Sequence, residues 1–180
     1  LGSTLDDAIG ESFDKVARVL GYKYPGGPNI EKAAALGKNS YKLPKPVDDE
    51  TYNFSYSGLK SHIINLVNTE KMRGNEINKE DLACSFQTTA VDELSRKVDL
   101  ALSNTGIKNV VIAGGVSANK YLKDEIAKLC EKYEAKLYVP RMLYCTDNAA
   151  MIGAAAYPLF IKKEFKDFSL NPESHCLITD

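Results

Sequence analysis

The chain has 180 residues, 44 % of them hydrophobic, with 23 Lys and Arg against 24 Asp and Glu, twelve Gly, seven Pro and no Trp. That is enough chain for one domain-sized core, and charges that nearly cancel exclude a global basic field able to hold a polyanion unaided. No apolar run approaches the roughly 18 residues of a membrane span and no leader pattern opens the chain, so no membrane partner is expected and a cytoplasmic location is the default.

A T-x-x-D pattern at Thr4 and Asp7 reads as a capping box, followed by apolar residues at helical spacing: Leu5, Ala8, Ile9, Phe13, Val16, Ala17 and Leu20. Gly21 supplies the stop. After the turn Tyr24-Pro25-Gly26-Gly27-Pro28, a short helix is expected over about residues 29–36, and then a surface excursion over 37–53 with an acidic patch from Asp48 to Glu50. Ser55 is expected to open a helix reaching about Met72. Asn78 with Asp81 caps a long one striped by Leu82, Phe86, Ala90, Leu94, Val98 and Ala101.

Val110 to Ala113, closed by Gly114 and Gly115, reads as a buried parallel strand, and Leu137 to Val139 as a second. Between them Ser117 is the expected cap of a helix presenting Leu122, Ile126 and Leu129, and Thr146 of a last helix that Pro158 disturbs. The chain thus reads as a single domain over 1–180, helical over about 1–103 and strand-helix-strand-helix over about 108–160. Two parallel strands make a poor sheet alone, so further strands are expected outside this chain. The bare edge at Val110 to Ala113 is open to homodimerisation or strand exchange.

Cys84, Cys130, Cys145 and Cys176 stand singly, never as the C-x-x-C pairs of zinc or redox sites, and fit reduced thiols packed as small hydrophobes. His62 and His175 are too far apart for a helical metal pair. Ligands of parallel sheets gather beyond the strands' carboxyl ends, which here means the loop Gly114 to Asn119 and the segment Arg141 to Asn148. Both run into helix N-termini suited to an anion such as phosphate. Two glycines ending a strand, with Ser117 capping a helix, account for the first loop equally well. Asp147 is a dipole partner in a first helical turn or a hard ligand for a divalent metal. Asp14 could pair with Arg18 four residues on, and Glu31 could be a solvated first-turn acid.

Taken together, Thr4 to Ala8 with Gly10-Glu11 and Phe13-Asp14-Lys15, then Tyr24 to Pro28, Phe54 to Lys60, Gly114 to Asn119 and Cys145 to Met151 closely resemble the TsaD family, also called Gcp. That family was formerly labelled an O-sialoglycoprotein endopeptidase, a glycoprotease. The resemblance implies an α/β, actin-like or Hsp70-like ATPase fold of the RNase H-like kind, of which this helix-rich chain would be the second lobe without its N-terminal lobe and first strands. It implies tRNA modification: transfer of a threonylcarbamoyl group from threonylcarbamoyl-AMP to N6 of the adenosine beside the anticodon. Asp14, Gly27 and Asn119 match adenylate-binding positions, Glu31 stands where relatives often have Asp, and Gly114 and Gly115 complete the nucleotide-binding set. Asp147 matches the carboxylate ligand of an iron or zinc ion.

The family's H-x-x-x-H motif and V-S-G-G-H loop are not found in the sequence. Asp147 is then the one metal ligand carried here, and the chain is expected to be inactive alone. Its implied partners are tRNA, the N-terminal lobe and TsaB-like and TsaE-like proteins, with Lys42, Lys45 and Lys60 as local candidates for tRNA contact. A non-catalytic dimerising scaffold is the alternative. The old metalloendopeptidase label would need the histidine pair this chain lacks.

Overall fold

Phe13, Val16, Ala17 and Leu20 recur every three or four residues, and this stripe is what buries the first helix, α1 (Ile9–Val19). The computed structural model describes residues 1–45 and 49–171. They belong to two units, Leu1–Cys145 and Thr146–Asp180. In the first, α1 packs with α2 (Gly26–Ala34), α3 (Ser57–Met72) and the start of α4 (Lys79–Thr105) around Phe13, Ile30, Tyr56, Ile63, Leu82 and Phe86. The Phe13 and Phe86 rings meet edge-on at 4.9 Å between centroids. Each fully buried ring contributes about 2 to 3 kcal/mol relative to exposure.

Helix α4 has 27 residues, about 40 Å at 1.5 Å per residue, and its far half carries a second core. There Val91 packs with Leu122, Ile126 and Cys130 of α5 (Lys120–Lys132) and with Val110 and Leu137 from two short strands. These are β1 (Asn109–Val111) and β2 (Lys136–Tyr138), parallel, with Val110 opposite Leu137. The expectation of a buried strand fails on one face. Val110 turns toward α5 while Val111 is 69 % exposed, the alternation of a sheet covered on one side only.

Several expected boundaries shift for identifiable reasons. Thr4 and Asp7 form no cap: Thr4 Oγ1 donates to the Asp7 carbonyl and Thr4 pairs with Phe54 in a parallel bridge, so α1 begins at Ile9 and Leu5 is exposed. Helix α2 begins at Gly26 and ends at Ala34, with Pro28 in its first turn, where no N–H is needed. Helix α3 starts at Ser57 rather than Ser55. Ser117 caps nothing: its hydroxyl donates to the Gly114 carbonyl within a 3-10 turn (Gly115–Ala118), and Asn119 caps α5. The cap of α4 is as read, with Asn78 accepting the Asp81 N–H at 2.9 Å.

Residues 37–45 are no loose excursion. Lys38 and Ser40 donate to Asp81, the Tyr41 N–H donates to Ser85 Oγ, and Tyr41 and Leu43 pack on the main core. Asp48 lies outside the described residues, as do His175 and Cys176. Cys130 and Cys145 are buried free thiols, Cys84 is half-buried, and His62 is exposed on α3.

In the second unit α6 (Ala149–Lys162) is capped by Asn148, whose Oδ1 accepts the Met151 N–H, and not by Thr146. Pro158 sits inside this helix without ending it. Among the described residues no helix is long and apolar enough to cross a membrane.

Candidate adenylate site

Asp14 does not pair with Arg18. Its Oδ1 accepts the Gly26 N–H at 2.7 Å, which ties the middle of α1 to the first turn of α2. The contact is possible because residue 26 has no side chain. A Cβ there would lie 2.5 Å from Asp14 Cα and 2.8 Å from Ala17 Cβ. At Gly27 a Cβ would meet nothing within 4 Å, so the second glycine faces open space. Asn29 Nδ2 donates to the Lys23 and Pro25 carbonyls and holds the intervening turn.

Glu31, two residues beyond Asn29, reaches the other half of the unit. Its Oε1 accepts the Lys120 N–H at 2.6 Å, at the start of α5. The adjacent Asn119 is 6 % exposed; its Oδ1 accepts the Leu122 N–H and its Nδ2 donates to Gln87 Oε1 of α4, both at 2.9 Å. Gly114, at φ +86°, turns the chain from β1 into the 3-10 turn. Val116 of that turn comes close enough to α1 that a Cβ on Gly10 would stand 3.2 Å from its Cγ2. Asp14, Gly27, Glu31, Asn119 and the Gly114-Gly115 turn are therefore linked through direct contacts among α1, α2 and α5.

This arrangement changes the chemistry expected of the helix ends. At the start of α2 the Gly26 N–H serves Asp14, and at the start of α5 the N–H groups of Lys120 and Leu122 serve Glu31 and Asn119. At the start of α5, one of the two helix ends expected to take a phosphate, a carboxylate already stands. Each carboxylate keeps one oxygen outside its backbone bond, and such acceptors suit hydroxyl groups better than anions.

Asp147 belongs to the second unit, two residues before α6, and is exposed. Among the described residues no three His, Cys, Asp or Glu side chains converge as metal ligands do. The donor set among the described residues therefore does not make a metal centre.

A family model described as TsaD, tRNA N6-adenosine threonylcarbamoyltransferase, matches residues 1–154. Curated relatives bearing that enzyme name include those of Mycoplasma capricolum, 51 % identical over 91 % of this chain, and Caldicellulosiruptor saccharolyticus, 49 % identical over 95 %. The chain belongs to this family. It spans about half the length of the curated relatives it matches, 52 % and 51 % for these two. Among solved structures it resembles full-length HypF in a phosphate- and nucleotide-bound form, with a TM-score of 0.57 and 22 % identity over 86 % of this chain and 20 % of that one. That likeness concerns the fold: a helix-rich α/β unit with a small parallel sheet.

The Thr4–Ala8 and Phe54–Lys60 segments are joined by Asp6 of the first. Asp6 accepts from the Tyr56 and Ser57 N–H groups and from the Ser55 and Ser57 hydroxyls, capping α3 from 50 residues away. Burial opposes its charge, yet these four donors outweigh it and hold the carboxyl down at about 2. Asp7 next to it binds Lys15 and Lys60, each at 2.7 Å, and both pull its pKa down. Lys60 is thus engaged by Asp7 in an ion pair that ties α3 to the segment before α1. Lys42 and Lys45 line a cleft of about 780 Å³ between residues 39–45 and α4.

Two further positions carry roles the sequence does not signal. Gly26 had no signal separating it from Gly27. Gln87, buried on the apolar stripe of α4, could have been noticed as a polar residue beside Phe86 on an inward face.

Proposed function

We propose that this chain supplies the adenylate-binding half of a tRNA N6-adenosine threonylcarbamoyltransferase, as the second lobe of an actin-like fold. What supports this is the pair of bonds that tie Asp14 to Gly26, beside Gly27, and Glu31 to Lys120, beside Asn119, within a chain whose family membership rests on residues 1–154.

The reaction is acyl transfer. The N6 amine of the adenosine beside the tRNA anticodon attacks the carbamoyl carbon of threonylcarbamoyl-AMP, the carbon–oxygen bond to phosphate breaks, AMP leaves with the bond pair, and the amine gives up one proton. The chain's own residues bind and orient the leaving group. The free carboxylate oxygens of Asp14 and Glu31 accept the ribose hydroxyls, the open face of Gly27 admits the nucleoside, and Asn119 donates its remaining Nδ2 hydrogen. Gly114 and Gly115 let backbone approach the substrate closely. Asp147 would contribute one carboxylate to an iron or zinc ion whose other ligands lie outside this chain, and no step here is routed through that ion. The first lobe, TsaB-like and TsaE-like partners and tRNA complete the assembly.

One observation favours a non-catalytic scaffold instead: Asn119 and Glu31 both have structural work at the start of α5. Calorimetric titration with AMP separates the readings. Binding by the wild-type chain that Asn119→Ala and Asp14→Ala each weaken at least tenfold supports the transferase reading. A well-folded chain that takes up no AMP supports the scaffold.

A further inference from the structure

The Asn119 amide is held on both of its polar atoms. Its Oδ1 receives the Leu122 N–H and its Nδ2 donates to Gln87 Oε1, each over 2.9 Å. A backbone N–H can only donate, so the amide oxygen must face Leu122 and the nitrogen must face Gln87. Gln87 must in turn present its oxygen. One backbone group thereby sets the orientation of two side-chain amides on elements 32 residues apart in sequence. Both residues are buried, Gln87 at 7 % and Asn119 at 6 % exposure, so water is poorly placed to replace either partner. Phe86 and Ala90, fully buried beside Gln87, keep that face of α4 from turning away.

After these bonds Asn119 has one Nδ2 hydrogen left. We propose that Gln87 is a positioning residue, which holds the Asn119 amide so that this last hydrogen is presented to the adenylate, without touching the ligand itself. The inference rests on the adenylate reading of Asn119. It adds a requirement that reading lacks: an acceptor at position 87, not merely a side chain of the right volume.

The test uses the wild-type chain, Gln87→Met, Gln87→Glu and Asn119→Ala, with AMP as the probe, unfolding midpoints for each, and the Asn119 side-chain amide followed by NMR. Methionine keeps the length and removes the acceptor; glutamate keeps an acceptor in either protonation state. The expected result is an AMP affinity about tenfold weaker in Gln87→Met, as for loss of one buried hydrogen bond, and within about threefold of wild type in Gln87→Glu. In Gln87→Met the two Asn119 amide protons should shift and exchange faster. Wild-type affinity in Gln87→Met with unmoved Asn119 resonances overturns the inference, as does an equal loss in both Gln87 variants that tracks their unfolding midpoints.

Should Gln87→Met fail to fold, the wild-type spectrum decides. Slow exchange of one Asn119 amide proton and a shift of the other on adding AMP support the proposal; two rapidly exchanging protons overturn it. If the wild-type chain binds no AMP, the adenylate reading falls and this inference with it. If Asn119→Ala loses AMP while Gln87→Met keeps it, the inference alone falls.

Discussion

Gly26 and Gly27 are neighbours with opposite surroundings, and substituting each by alanine separates packing from binding. A methyl at position 26 would sit 2.5 Å from Asp14 Cα and 2.7 Å from Asp14 Oδ1, closer than nonbonded atoms approach, so α2 must move off α1. Overpacking of this kind costs about 1 to 3 kcal/mol. The displaced helix start also strains a charge-assisted bond of 2.7 Å, of a class worth about 1.5 to 3 kcal/mol. Replacing glycine in a helix returns at most about 1 kcal/mol. The expected net loss is about 3 kcal/mol, or roughly 6 to 12 °C in Tm for a chain of this size.

Gly27→Ala meets nothing within 4 Å and, lying in the same helix, should be as stable as wild type or up to about 1 kcal/mol more so. If the nucleoside lies over that face, however, the added methyl weakens AMP binding in a fully stable protein. Urea denaturation and AMP titration of both variants read the two effects. Equal stabilities for the two variants, or a Gly26→Ala chain as stable as wild type, would refute the reasoning.

The Asp6 cap gives a pH signature. Its folded pKa of about 2 lies below the ordinary 3.8, so its contribution is complete above about pH 4 and is lost as pH falls through 2. A cap of this kind is worth about 1 kcal/mol, and solvent screening at an exposed carboxylate keeps its share near that figure. Asp6→Ala should therefore lower stability at pH 7 and flatten its pH dependence between 4 and 2, measured by urea unfolding across that range. Lys97 is 2 % exposed and binds the Asp49 carboxylate and the Thr51 carbonyl. Removing the carboxylate leaves a buried cation held by backbone carbonyls alone, whereas removing the lysine frees a carboxylate that water can reach, so Asp49→Ala should lower Tm more than Lys97→Met. The reverse order in thermal scans would contradict that burial argument.

Helices were legible where apolar spacing and a local cap agreed. The α4 cap at Asn78 and the stripe through Leu82, Phe86 and Ala90 follow from short-range chemistry, and the structure keeps both. Caps supplied from a distance were not. Asp6 serves α3 across 50 residues and holds the Ser55 hydroxyl, while Glu31 adds to the local Asn119 cap of α5 across 89; Thr4 and Ser117 instead spend their hydroxyls on carbonyls three residues away. The motif residues Asp14, Gly27, Glu31 and Asn119 were found through family resemblance. What sequence could not show is that two of them spend a carboxylate oxygen on backbone, Asp14 at the start of α2 and Glu31 at the start of α5, where an anion was expected. The alternating exposure of Val110 and Val111 was equally hidden, since a run of β-branched residues reads the same whether one face or both are covered.

A chimera tests the proposed transferase role most directly. This chain would replace the matching half of the Mycoplasma capricolum relative, to which it is 51 % identical over 165 residues. The purified chimera, threonylcarbamoyl-AMP and unmodified tRNA would be combined with the partner proteins, and the digested nucleosides analysed by mass spectrometry. Formation of N6-threonylcarbamoyladenosine that Asn119→Ala reduces at least tenfold is the predicted result. A folded chimera that leaves the tRNA unmodified, while the parent enzyme modifies it, would contradict the proposed function.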